Sequence, residues 1–372
     1  MPGKLNSVEK MVGGRGRFRV IVHGVSPEFR DRLLQGRGVK STPMGLKQFA
    51  CGEIYCQVGG AKERGRRSVP EATLKGAWTY IVSGWNPHTY AQDEMRLRVF
   101  MSAISRNGAN SVVVFPHLPA SNPVDLMKLA NNLGRYAATR QLRAVLTYNF
   151  PLTSIGRDIF DLSAPGLTRK GVGSAYAIPI VRLDAGLLFK DYFNDEVGRD
   201  TLSGMVFSSF EGKARRSTDT SRQQHRDVEQ EIYVAQFVRD LYGSHFREHL
   251  AVLSPGKGKG PLRVTDGNVE NKIVVLFGDR LYEDEPLEPV IEAFLRSGAS
   301  AVMIAALHMG RHSGRFQILE EHAGVDSVLT TDTISRPDEQ NFGKLLELSV
   351  ANDLWRALVD NFKSRIRYER DD

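Results

Sequence analysis

Two α/β units in tandem, each a mostly parallel sheet flanked by helices, are expected for this 372-residue chain. Strand-length apolar runs alternate with helix-length amphipathic runs, and the alternation begins again after a Pro-Gly and Gly-rich passage from Pro165 to Gly173. In the first half, strands are predicted at Arg17 to His23, Glu53 to Val58, Trp78 to Ser83, Ser111 to Phe115 and Ala144 to Tyr148, with helices at Pro27 to Gln35, Asp93 to Asn107 and Asp125 to Ala138. The helix from Asp93 shows its core face at Leu97, Phe100, Met101 and Ile104, the three-and-four spacing of an amphipathic helix. In the second half, strands are predicted at Met205 to Ser208, Leu250 to Leu253, Lys272 to Phe277 and Ala301 to Ala306, with helices at Val228 to Tyr242 and Leu287 to Ser297. Two sheets of similar layout in one chain suggest a tandem duplication. At the C-terminus, Ser349 is the expected cap of a helix whose stripe of Val350, Leu354, Trp355, Leu358, Val359 and Phe362 must dock on something.

Composition bounds the function classes. With 41% hydrophobic and 25% charged residues the chain reads as globular, and no apolar run approaches the ~20 residues of a membrane-spanning helix. Met1 to Arg19 lacks the apolar centre of a secretory signal. Its arginines at 15, 17 and 19 against the single acid Glu9 make this start basic, and residues 1–14 are expected to be a disordered basic tail. A cytoplasmic location is expected, with an organellar one as the alternative. Cys51 and Cys56, five apart in one expected strand, face opposite sides and cannot bridge each other without distortion. Two thiols also fall short of a zinc site.

The net charge of +7 invites a nucleic-acid reading, but the charge is gathered in loops. Lys62, Arg64, Arg66 and Arg67 fall in one Gly-containing segment, and Lys213, Arg215, Arg216, Arg222 and Arg226 in a polar stretch. Neither has the interleaved aromatics that stack single-stranded bases. Solvated loops touching RNA or another acidic partner are the reading they allow.

The most telling passage is Lys272 to Leu287, an apolar strand entering a helix through a short loop. Such a joint aims free N–H groups and the positive helix end at whatever fills the turn, a natural anion site. Here Glu283, Asp284 and Glu285 precede Pro286, so the turn fills itself with carboxylates. A phosphate would meet them at ~4 kcal/mol per pair of unit charges about 4 Å apart near a protein surface.

Four passages carry a family resemblance. Phe49-Ala50-Cys51-Gly52-Glu53-Ile54, Ala103 to Val114, Leu329-Thr330-Thr331-Asp332-Thr333-Ile334 and Leu346-Glu347-Leu348-Ser349-Val350-Ala351 stand in an order and at separations that resemble the ribose-phosphate pyrophosphokinases, or phosphoribosyl pyrophosphate synthetases. The resemblance runs over most of the chain and implies two phosphoribosyltransferase-like domains, expected at 15–160 and 161–345, the second with an insertion near 213–226. Residues 346–372 are expected to be a strand and helix that dock on the N-terminal domain. In the family, Mg and ATP serve transfer of pyrophosphate to ribose 5-phosphate.

The departures from that family fall on its chemistry. Its Phe-Ser-Asp-Gly-Glu segment has lost Ser and Asp to Ala50 and Cys51. Its ATP-clamping Tyr-x-Arg-Gln-Asp-Arg loop is replaced by Ala120-Ser121-Asn122-Pro123-Val124-Asp125, where Asn122 cannot make a bidentate guanidinium grip. Its Asp-Leu-His, with a histidine that helps hold magnesium nucleotide, becomes Tyr148-Asn149-Phe150. Its Lys-Arg-Arg catalytic loop becomes Ser254 to Gly260, with Lys257 and Lys259. Of its ribose 5-phosphate loop only one carboxylate, Asp279, stays in register; the Thr and Gly of the phosphate cradle are gone. Asp279 is the metal candidate, with a helix-proximal or turn-stabilising carboxylate the favoured reading. His308, in a passage similar to the family's His-Gly-x-x-Ser-Gly, is the second nucleotide candidate beside Asn122. His245 and His249, four apart on an expected helix, would share a face but lack a third ligand.

Transfer of a pyrophosphoryl group depends on positioning and charge neutralisation, so losing clamp, histidine and cradle together removes most of what drives it. The leading expectation is a catalytically degenerate relative acting as a regulatory or scaffolding subunit, homo-oligomeric or mixed with an active synthetase and requiring no cofactor. An active pyrophosphokinase working through Lys257, Lys259, Asp279 and His308 with Mg and ATP is the alternative. An RNA-associated structural protein using the basic loops is the second alternative.

Overall fold

The computed structural model describes residues 18–37, 39, 42, 44–48, 54–58, 74–84, 90–118, 129, 132–134, 136, 141–148, 180–209, 234–256, 260–281, 287–309, 313–334 and 342–371. In chain order these form β1 (Phe18–His23), α1 (Pro27–Leu34), β2 (Met44–Gln48), β3 (Ile54–Val58), β4 (Trp78–Ser83), α2 (Tyr90–Arg106), β5 (Asn110–Phe115), β6 (Leu142–Thr147) and β7 (Ile180–Arg182). Then come α3 (Gly186–Tyr192), a π-helical turn (Phe193–Val197), α4 (Arg199–Ser203), β8 (Met205–Ser209), helical residues 234–242 and a 3-10 segment (Gly243–His249). The chain continues through β9 (Val252–Gly256), β10 (Gly260–Asp266), β11 (Ile273–Leu281), α5 (Leu287–Arg296), β12 (Ala301–Met309), α6 (Ser313–Glu321), β13 (Val325–Thr331), β14 (Leu345–Leu348) and α7 (Ala351–Asp371).

Contacts divide the chain into two units, Met1–Leu183 with Ala351–Asp372, and Asp184–Val350. The sequence placed the break at 160/161; it falls at 183/184 because β7 is hydrogen-bonded to β6 and belongs to the first sheet. The expected C-terminal strand and helix likewise part company, β14 pairing with β13 while α7 joins the first unit.

The first unit holds a parallel sheet of order β1-β4-β5-β6-β7 and an antiparallel hairpin, β2 with β3. Every residue of β4 is buried, as a central strand covered on both faces must be. One face carries Ile21, Ile81, Val113, Phe115 and Val145 into a core with Leu97, Phe100, Met101 and Ile104 of α2, and with Cys56 of the hairpin. On the alternate positions, Phe18 meets the rings of Trp355 and Phe362 at 5.7 and 5.0 Å, and Tyr80 donates its hydroxyl to Asn361 Oδ1 at 3.0 Å. The apolar stripe of α7 thus finds its seat. Entry to α1 is fixed by Ser26, whose Oγ accepts the Phe29 N–H at 3.1 Å, with Pro27 opening the helix.

The second unit repeats the plan with order β8-β11-β12-β13-β14, all parallel, and the antiparallel hairpin β9–β10. In both units a first strand is followed by a hairpin and then by four strands laid down in sequential order, the topological form of the suspected duplication. Val274, Leu276, Val302, Ile304 and Val328 pack beneath Leu287, Val290, Ile291 and Phe294 of α5. Phe193, Phe207, Phe237 and Phe277 build a second, aromatic layer, with Phe237 stacked on Phe277 at 4.6 Å.

Three local expectations change. The strand expected to end at Phe277 runs on to Leu281, so Asp279 lies in β11 rather than in a turn. The last helix, expected from Val350, starts at Ala351, and the preceding Val350 N–H donates to Asp332 Oδ1 at 2.9 Å. The histidine pair occupies a 3-10 segment, not an α-helix. Among the described residues no helix is long and apolar enough to cross a membrane.

Candidate functional site

Parallel sheets with helices on their faces bind ligands outside the carboxyl ends of the strands. In the second unit that edge is formed by β11, β12 and β13. Gly278 is registered with Ala306 and Arg280 with His308, which places the backbone of Asp279 between these pairs at the ends of β11 and β12. His308 is fully buried. Its Nδ1 lies 2.7 Å from Thr333 Oγ1, which in turn lies 2.9 Å from Thr331 Oγ1; Thr331 donates to the carbonyl of Leu307 at 2.7 Å. Asp332, also buried, donates its N–H to Leu348 O at 3.0 Å and accepts from Val350 N–H. Beside them the buried hydroxyl of Thr330 makes no hydrogen bond among the described residues.

The corresponding edge of the first unit is polar as well. His23 and Ser83 are registered at the ends of β1 and β4, Thr147 faces Phe115 at the end of β6, and His117 follows β5. Both ring nitrogens of His23 are shielded from solvent and make no hydrogen bond among the described residues, although the residue as a whole is half-buried. Burial, and then the charge of Arg96, lower its pKa from 6.5 to about 3, so the ring is neutral. Here the two strand ends touch: Gly84 N–H donates to His23 O at 2.9 Å, and a Cβ on Gly84 would sit 2.3 Å from Gly24 O. Tyr148, standing where the resemblance expects an aspartate, is buried; Asn149 and Phe150 lie outside the described residues.

Of the catalytic, nucleotide, metal and phosphate-loop candidates, only His308 and the backbone of Asp279 can be placed. Asn122, Lys257, Lys259, Glu283, Asp284, Glu285 and Pro286 lie outside the described residues, as do Cys51 and the basic runs 62–67 and 213–226. The structure adds Thr331, Asp332 and Thr333, whose polar run at the end of a buried strand is the signal that marks them. The two helix histidines separate. His245 is exposed, 3.5 Å from Glu248, while His249 stacks on Tyr242 at 3.7 Å with Nδ1 2.8 Å from Met205 O. Cys56 is a buried thiol whose pKa burial pushes up to about 11, against the lowering effect of Arg106, which makes it unreactive near neutrality. No group of three His, Cys, Asp or Glu that could hold a metal ion converges among the described residues.

No protein-family model matches the chain. Ribose-phosphate pyrophosphokinase 1 of Listeria monocytogenes serovar 1/2a is 21% identical over 349 residues, 89% of this chain and 90% of that protein. A putative ribose-phosphate pyrophosphokinase 2 of Listeria innocua is 20% identical over 332 residues, 84% of this chain and 86% of the relative. The crystal structure of phosphoribosylpyrophosphate synthetase from Mycobacterium smegmatis superposes with a TM-score of 0.68 at 19% identity, covering 94% of this chain and 99% of that one. The chain resembles the ribose-phosphate pyrophosphokinases over most of its length and shares the fold of a phosphoribosylpyrophosphate synthetase. Its two α/β units, each a mostly parallel sheet flanked by helices, are phosphoribosyltransferase-like in fold. At this level of identity a synthetase fold does not carry synthetase activity with it, which rests on the site residues.

Proposed function

We propose that this protein is a catalytically degenerate phosphoribosyl pyrophosphate synthetase-like subunit that regulates or scaffolds active relatives in nucleotide metabolism. One observation carries the reading. The strand-to-helix joint between β11 and α5 is kept, yet the five residues that link them, Tyr282 to Pro286, include three acids and none of the small hydroxyl and glycine residues that cradle a phosphate. Acids at a helix N-terminus satisfy its positive end and oppose a phosphorylated sugar. The buried setting of His308 supports the same reading, since a ring closed to solvent is a poor contact for nucleotide.

The test is to mix the purified chain with an active synthetase, separate by size, and follow phosphoribosyl pyrophosphate formation. Co-elution in a mixed assembly with an altered rate or altered nucleotide inhibition is expected. Independent elution, with the active enzyme's kinetics unchanged at excess chain, contradicts the proposal.

A further inference from the structure

The carboxyl edge of the second sheet contains a hydrogen-bond chain whose protons can be counted. Three contacts are 2.9 Å or shorter: Thr331 Oγ1 to Leu307 O at 2.7 Å, Thr331 Oγ1 to Thr333 Oγ1 at 2.9 Å, and Thr333 Oγ1 to His308 Nδ1 at 2.7 Å. Each needs one proton. Thr331 and Thr333 have one hydroxyl proton each, and the Leu307 carbonyl has none. The proton of Thr331 is committed to Leu307 O, because two oxygens in this buried place do not sit at 2.7 Å without one. The proton of Thr333 then goes to Thr331 Oγ1. Its remaining contact, with His308, is a hydrogen bond only if the ring supplies the proton. The longer approaches, Thr333 Oγ1 to Leu307 O at 3.3 Å and Thr333 N–H to Thr331 Oγ1 at 3.4 Å, leave this count unchanged.

We infer that His308 carries its proton on Nδ1 and is the donor at the head of a one-way relay, His308 Nδ1–H to Thr333 to Thr331 to Leu307 O, which makes it the positioning residue of this sheet edge. The relay ties the turn after β13 to the end of β12 across 25 residues of sequence. That turn contains Asp332, which holds Leu348 O and Val350 N–H, so the same lock fixes the path by which the chain leaves β14. This inference stands whether or not the protein turns over substrate.

The tautomer is read directly by long-range proton–nitrogen NMR on the full chain labelled at histidine. The expected result is one ring with a pyrrole-type Nδ1. That ring is assigned by its loss in His308→Asn and, should that variant not fold, by its selective shift in Thr333→Ser, which keeps the hydroxyl. A pyridine-type Nδ1 on this ring overturns the inference. A second measurement separates donor from bulk: Asn places an amide donor near the Nδ1 position and Gln does not, so His308→Asn should keep more of the melting temperature than His308→Gln. The reverse order contradicts the relay.

Discussion

At the scale of the residue, His23 and His308 show what burial does to one side-chain type in two settings. The ring nitrogens of His23 are shielded and make no hydrogen bond among the described residues, with Phe100 against the ring at 4.6 Å and a pKa of about 3. In the unfolded chain it titrates near 6.5. Above that value both states are neutral and its protonation adds nothing. As the pH falls below about 6.5 the unfolded state gains a proton that the folded state refuses, so stability falls by at most about 1.4 kcal/mol per pH unit, until the folded ring titrates near pH 3. Urea unfolding of wild type and His23→Leu should therefore diverge on the acid side, with the variant flatter; parallel acid limbs would show that His23 does not govern them. His308 was legible in the sequence as a residue of interest, but its partners were not. Thr331 and Thr333 stand more than 20 residues away, and only the parallel registration of β12 with β13 brings them together.

At the scale of the element, legibility followed burial. The apolar runs of β4, β5 and β12 and the periodic face of α2 could be read directly because their pattern is the pattern of their environment. The edge elements β7 and β10 and the short helices α3 and α4 could not, since three to seven residues on a margin carry no period. The end of β11 was also misplaced, because glycine and charge at Gly278 to Arg280 imitate a turn while the parallel pairing with β12 continues. The C-terminal helix gives the sharpest test at this scale. Phe362 is buried against Phe18, so Phe362→Ala should cost about 3–5 kcal/mol, whereas Arg356→Ala, on the solvent side, should stay within about 0.5 kcal/mol. Equal effects in denaturant unfolding would mean the helix is not docked by its apolar stripe. Gly84→Ala is expected to destabilise by about 1–3 kcal/mol through the clash with Gly24 O, or to shift the ends of β1 and β4 apart; an unchanged unfolding midpoint would contradict that close approach.

For the molecule as a whole, fold and chemistry have different legibility. Two copies of strand, hairpin and four sequential strands are kept, and a synthetase from Mycobacterium smegmatis shares them at TM-score 0.68. A parallel sheet asks only for apolar volume in the right order, which survives at 19% identity. Pyrophosphoryl transfer asks for particular cations and ligands at particular loops, and at those places this chain carries Asn122, Phe150 and the acids Glu283 to Glu285. The proposed degeneracy rests on that residue pattern, and the loops concerned fall outside the described residues. The most direct measurement is AMP formation by the purified chain with magnesium, ATP and ribose 5-phosphate, beside an authentic synthetase, with phosphoribosyl pyrophosphate identified as product. No turnover above a Lys257→Ala, Lys259→Ala double variant is the expected result. Turnover well above that control would contradict degeneracy and establish that the altered loops still assemble a working site.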